Sequence, residues 1–182
     1  MKDLSLHVLD IMQNSLSAGA HDINVEIVED QVIDKYLITI RDDGKGMSPE
    51  MLTKVTDPFF TTRTTRKVGL GIPLLKEHAE QAGGTFSITS GIGKGTEIAA
   101  GFLLSHIDRQ PLGDIAGTIV LTAASNPQVR IRYTHTTGFG TYLFDTAEVS
   151  EILGDTPINN ALVINFLVEM INENLEQIKY SH

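Results

Sequence analysis

The chain has 182 residues, 41% hydrophobic and 20% charged, which is enough apolar material for a real core in one or two small domains and too much for a disordered chain. Fourteen basic against 23 acidic residues leave a net charge of -9, so broad contact with nucleic acid or an anionic membrane is not expected. The absence of cysteine excludes disulfides, thiolate metal sites and cysteine nucleophiles, and no apolar run approaches the roughly 18 to 20 residues that cross a bilayer, so a cytoplasmic protein is expected.

Residues 3–17 place Asp3, His7, Asp10, Asn14 and Ser17 four and three apart, with Leu4, Val8, Leu9, Ile11, Met12 and Leu16 filling most of the remainder. This pattern predicts an amphipathic helix with one polar stripe, ended by Gly19. Alternation over 23–28 and the run 36–41 predict two strands joined as a hairpin. A loop Asp42-Asp43-Gly44-Lys45-Gly46 follows, then a short helix capped by Ser48 with Pro49 at its first position and closed by Asp57-Pro58. Residues 61–67 carry Arg63, Arg66, Lys67 and four threonines with no acid, which suits the lining of one polyphosphate as well as a solvated loop. Pro73 is tolerable only in a first turn, so a helix should start near Ile72 and stop at Gly83-Gly84. Strands over 86–89 and 97–103 then complete an α+β unit ending near Leu104.

Beyond it, residues 105–114 form a polar connector. Strands are expected over 118–123, 129–135 and 141–144, and a last helix is expected with Thr156 as cap and Pro157 at its first position. The stripe Ile164, Leu167, Val168, Ile171, Leu175 and Ile178 is widened by Ile158, Leu162, Val163 and Phe166. So wide a face predicts burial on two sides, against the first unit or in a homodimer through this small C-terminal α+β region of 105–182, whose role the sequence does not specify.

Four features point to one kind of chemistry. Asp10 and Asn14, at i and i+4, project from one helix face, and the Asn14 amide oxygen suits magnesium, which keeps most positions for water and phosphate. Asp42 stands at a strand end where a carboxylate can accept a hydrogen bond from an exocyclic amine, while Gly44 and Gly46 let backbone approach a flat ring. Gly69-Leu70-Gly71 opens a helix whose free N–H groups attract phosphate, and Gly93-Lys94-Gly95-Thr96 adds a second glycine turn. The latter is no P-loop, because Gly95 separates Lys94 from Thr96, and Gly69-Leu70-Gly71 lacks the third glycine of a dinucleotide fingerprint. The six histidines show no metal-ligand spacing.

In order along residues 4–104, the segment from Leu9 to Ala20, Asp42 to Gly46, Asp57-Pro58-Phe59-Phe60-Thr61-Thr62, Gly69-Leu70-Gly71-Ile72 and Gly93 to Thr96 resemble the N, G1, F, G2 and G3 boxes of the GHKL superfamily. The resemblance implies a Bergerat-type two-layer sandwich, a mixed sheet covered by helices, holding ATP and Mg2+ under a lid at 61–68. It implies that Asn14 binds magnesium and that Asp42 holds the adenine amine. Gly44, Gly46, Gly95 and Thr96 would shape the base side of the pocket, while Phe60, Thr62, Arg63, Lys67, Gly69, Leu70 and Gly71 would line the lid and phosphate side. Asp10 stands where gyrase and MutL relatives carry a water-activating glutamate, one methylene longer. The words around Asn14 are MutL-like, whereas Phe59 to Arg63 and the G2 box are similar to histidine kinases.

Ahead of the N box no phosphoacceptor helix pair is expected, yet Ser105-His106-Ile107-Asp108-Arg109-Gln110-Pro111-Leu112 matches Ser-His-x-x-Arg-x-Pro-Leu, much of the kinase phosphoacceptor word, on the wrong side of the domain. His106 is therefore read either as a connector residue or as a phosphate acceptor. Three functions follow from the resemblance: a kinase-like protein passing the γ-phosphate to a protein in trans or to His106, an ATPase with Asp10 as base, and an ATP-gated module that binds a partner without chemistry.

Overall fold

A computed structural model describes residues 2–57, 59 and 70–180. The chain runs α1 (Leu4–Ser17), β1 (Asp22–Asp30), β2 (Lys35–Asp42), α2 (Pro49–Lys54), α3 (Gly71–Gln81), β3 (Phe86–Gly91), β4 (Gly95–Leu103), α4 (Ile115–Ser125), β5 (Arg130–Thr137), β6 (Gly140–Asp145), α5 (Thr146–Leu153) and α6 (Ala161–Gln177). One six-stranded sheet of order β3-β4-β2-β1-β5-β6 holds all the strands. It is antiparallel except for the β1–β5 pair, so it is the mixed sheet covered by helices that the fold class required.

Alternation decides which face of the sheet is buried. Ile23, Val25 and Ile27 of β1 lie beside Ile40 and Ile38 of β2 and beside Ile131, Tyr133 and His135 of β5, and all of them are buried. The buried side of α1, Leu4, Val8, Ile11 and Met12, joins the same core with Leu75 of α3 and Ile119 of α4. Each large aliphatic side chain buried there contributes about 1.5–3 kcal/mol relative to exposure. Ser48 caps α2 with Pro49 in its first turn and Gly83 follows α3 at φ +70°, as the sequence predicts, while Asp3 stands outside α1 as its cap and accepts from the Leu6 N–H.

The connector leaves β4 and straps back over α1, where the Leu4 and Ser5 N–H groups donate to the Pro111 and Leu112 carbonyls. The chain then enters a helix and not the strand expected over 118–123. Asp114 caps α4 through the Gly117 N–H, and the buried set Ile115, Ala116, Ile119, Val120 and Ala123 has helical spacing. Its β-branched residues suggested a strand, but the small residues between them let the helix pack between α1 and α6. β5 and β6 form as expected and extend the sheet across the change of character at Leu104. The last helix starts later than expected. Asn160, not Thr156, caps α6, because Asp145 caps an additional helix, α5, whose Gly154 carries φ +57° and whose following turn absorbs Pro157. Of the wide stripe, Leu167, Ile171 and Leu175 are buried, while Leu162 and Phe166 face solvent.

Candidate nucleotide-binding site

The end of β2 and the last turns of α1 meet at Asp42. Ser15, buried one turn from the end of α1, donates its hydroxyl to Asp42 Oδ2 at 2.6 Å, and the Gly44 N–H donates to Oδ1 at 2.9 Å. Both carboxylate oxygens are thus oriented by protein donors, with lone pairs left over for a ligand amine. Across the ladder Asp42 is paired with Thr96, whose hydroxyl lies 2.9 Å from that of Ser90. Ser90 in turn donates to the Gly95 carbonyl and accepts from the Met47 N–H, tying the loop after β2 to the β3–β4 turn.

The glycines are also constrained by the protein's own packing. A Cβ on Gly46, at φ +67°, would stand 1.9 Å from the Gly91 carbonyl oxygen, and one on Gly95, at φ +77°, would stand 1.9 Å from that of Asp42. A Cβ on Gly44 would meet Ala18 Cβ at 2.9 Å. These three positions therefore need glycine because protein backbone packs against protein there. The β3–β4 turn is a hairpin turn between strands, which agrees with setting aside a P-loop.

Asp10 and Asn14 lie half-buried on α1, and Gly71, the first residue of α3, packs against Asp10 so closely that a Cβ would fall 2.7 Å from the Asp10 Cβ. Burial raises the Asp10 carboxyl above its ordinary value. Leu70 precedes the helix and is half exposed. No side-chain hydrogen bond caps the N-terminus of α3, and Gly71 there lies against the Asp10 side chain. Phe60, Thr62, Arg63, Lys67 and Gly69 lie outside the described residues. Among the described residues no cluster of three or more His, Cys, Asp or Glu could hold a metal by itself. An amide oxygen at Asn14 fits a magnesium ion that takes its other ligands from phosphate and water.

The structure thus brings Asp42, Gly44, Gly46, Gly95 and Thr96 together at one end of β2 and sets Asp10 against Gly71 where α1 meets α3, with Leu70 just before that helix and Asn14 one turn further along α1. His106 is elsewhere. It follows Leu103, which pairs with Lys35 at the other end of β2, and β2 spans about 23 Å at 3.3 Å per residue. The His106 ring lies close to Gly83, past the C-terminal end of α3, and the 11 residues of that helix span about 16 Å from Gly71. The rest of the word is occupied structurally: Ser105 donates to Asp34, Arg109 lies over the Tyr36 ring at 4.8 Å, and the Gln110 oxygen sits 3.1 Å from His7.

Sequence reasoning missed Ser15, Ser90 and Ala18. Ser15 was the legible one, since it follows Asn14 on the inward side of a helix where a hydroxyl needs a partner. Also missed was the buried His7, whose Nε2 lies 2.9 Å from His78 Nδ1, clamping α1 to α3 one turn before Asp10. Burial, aided by repulsion from His78, lowers His7 to about 4.

Residues 2–106 match the family of histidine kinase-, DNA gyrase B- and HSP90-like ATPases. The chain belongs to this family and carries its ATP-binding domain. It is 38% identical over 90 residues to the sensor histidine kinase ZraS of Salmonella typhimurium, covering 48% of this chain and 19% of that protein. It is 29% identical over 99 residues to the CAI-1 autoinducer sensor kinase/phosphatase CqsS of Vibrio cholerae, covering 54% of this chain and 14% of that one. The chain therefore spans about a fifth or less of the length of these relatives. A crystal structure of the N-terminal domain of a DNA repair protein superposes with a TM-score of 0.55 at 17% identity, over 79% of this chain and 52% of that one, and shares the fold. No described helix is long and apolar enough to cross a membrane.

Proposed function

We propose that the protein binds Mg-ATP at the Asp42 end of the sheet and passes the γ-phosphate to another protein in trans, as part of bacterial-type signalling. The observation that carries this reading is the Asp42 carboxylate, held by Ser15 and Gly44 where an adenine amine can donate to it, within a domain similar to those of sensor kinases. Asp42 and Thr96 would hold the adenine, the start of α3 would face the phosphates, and the Asn14 amide would hold a magnesium ion that offsets their charge. Transfer to His106 of the same chain is disfavoured by its place at the far end of β2 and α3.

A second reading, an ATPase that couples hydrolysis to a conformational cycle, is favoured by Asp10. Its burial under Gly71 raises its proton affinity and makes it a better base for water than an exposed aspartate. The deciding experiment incubates the protein with magnesium and γ-labelled ATP and follows label on protein separately from free phosphate. Bound ATP with neither signal, and label appearing once a substrate protein is added, is the expected result. Steady phosphate release lost in Asp10→Asn would establish the ATPase, and acid-labile label lost in His106→Gln would establish self-phosphorylation.

A further inference from the structure

The helical layer carries an apolar groove on the side away from the sheet. α1 and α4 start side by side, since the connector joins the first turn of α1 just before Asp114 caps α4, and between them runs a groove of about 350 Å3. Leu6 and Leu9 form one wall and Leu121 the other, while Gly117, Thr118 and Ser125 keep the α4 side low. Leu6 and Leu121 are 39% and 55% exposed, although α4 is otherwise the most apolar helix of the fold and turns Ile115, Ile119 and Val120 inward. On the other flank of α4, α6 leaves Leu162 and Phe166 uncovered.

The helices that form and flank the groove carry acidic and no basic residues. α1, α4 and α6 contain no lysine or arginine and hold Asp10, Glu169, Glu173 and Glu176, and Asp3 and Asp114 line the groove itself, while the cations Lys76 and Arg109 lie on α3 and the connector. A second copy would bring the same acidic layer and a net charge of -9 against it, and like charges across an interface repel. A helix with an apolar edge between rows of cations would meet both the leucine walls and the acidic surround.

We propose that the α1–α4 groove docks a basic amphipathic helix of a partner protein. The site is independent of the nucleotide reading, although Leu9 lies next to Asp10 on the same helix.

The test uses the whole protein and a fluorescein-labelled 14-residue peptide of leucine and lysine with leucines at helical spacing, read by anisotropy at physiological salt. A leucine and glutamate peptide of the same pattern is the control. The lysine peptide should bind and the glutamate peptide should not. Leu121→Lys and Leu6→Lys, both at exposed positions, should each weaken binding at least tenfold. Val32→Lys, which makes the same charge change at a 94% exposed turn residue outside the groove, should change it less than twofold, and Asp42→Asn should leave it intact. Equal loss in all three lysine variants would reduce the effect to general electrostatics and overturn the proposal. So would the absence of binding, or sedimentation showing a dimer that Leu121→Lys splits, which would give the groove to a second copy.

Discussion

Replacing Asp42 with asparagine changes one oxygen to an amine and tests the base pocket with little cost to the fold. In the protein, Oδ2 accepts from Ser15 and Oδ1 from the Gly44 N–H. In Asp42→Asn the amide oxygen can keep the Gly44 bond, and the Ser15 hydroxyl can reverse and accept from the new NH2 group. A charge-assisted bond worth about 1.5–3 kcal/mol then becomes a neutral one worth about 0.5–1.5, so stability should fall by about 1 kcal/mol. Adenine fares worse. Its exocyclic amine loses an ionised acceptor and meets a donor, which costs about 1.5–3 kcal/mol, or roughly 10- to 100-fold in Kd. Isothermal titration with a non-hydrolysable ATP analogue measures the affinity, and urea unfolding of the free protein measures the stability. Unchanged affinity in a folded variant would refute the placement of adenine at Asp42 and with it the assignment of Thr96 and the glycine loops to the base pocket.

Ser15→Ala leaves the carboxylate in place but removes its 2.6 Å donor, so analogue affinity should fall by roughly threefold to tenfold, less than in Asp42→Asn, while stability drops by about 1.5–3 kcal/mol in the same urea assay. Gly71→Ala should destabilise by about 1–3 kcal/mol, because its methyl group would stand 2.7 Å from Asp10 Cβ and α1 and α3 must part to admit it. Denaturation midpoints for this variant and for the exposed control Glu77→Ala separate the clash from a general helix effect. His7 titrates near 4 in the folded protein against 6.5 unfolded, so the unfolded state binds more protons between these values. Stability is therefore fully present above pH 6.5 and is lost as the pH falls toward 4, by up to about 3 kcal/mol at 1.36 kcal/mol per pH unit. The slope of unfolding free energy against pH over that window should flatten in His7→Gln, and an unchanged slope would remove His7 as its source.

The described residues before Leu104 were legible because each local signal agreed with the next. Ser48-Pro49 formed the helix start it announced, the alternation in 23–28 chose the buried face of β1, and Pro73 held α3 to a start at Gly71. Beyond Leu104 the signals competed. Thr118, Ile119 and Val120 favour a strand by β-branching, and only Asp114 at the cap and the burial of small residues against α1 and α6 made α4 a helix. Thr156-Pro157 had the form of a cap, but α5 already ended at Leu153 and the chain needed a further turn before Asn160 could begin α6. Tertiary packing decided both cases, and no window of sequence contains it.

The site shows the same division at finer scale. Spacing singled out Asp10, Asn14 and Asp42 because the periodicity of a helix or the end of a strand states where a side chain points. The glycines were found for an incomplete reason. Gly46 and Gly95 are fixed by carbonyl oxygens that would lie 1.9 Å from a Cβ, so the β2 loop and the β3–β4 turn close on each other before any ligand arrives. In the proposed reading this contact would preorganise the base pocket, with Ser15 holding the carboxylate from α1. A ligand that meets such a pocket pays little to order it. On this reading, selectivity among bases should reside in the Ser15–Asp42 pair, which joins α1 to β2 through side chains and which a single substitution can loosen without opening the turns.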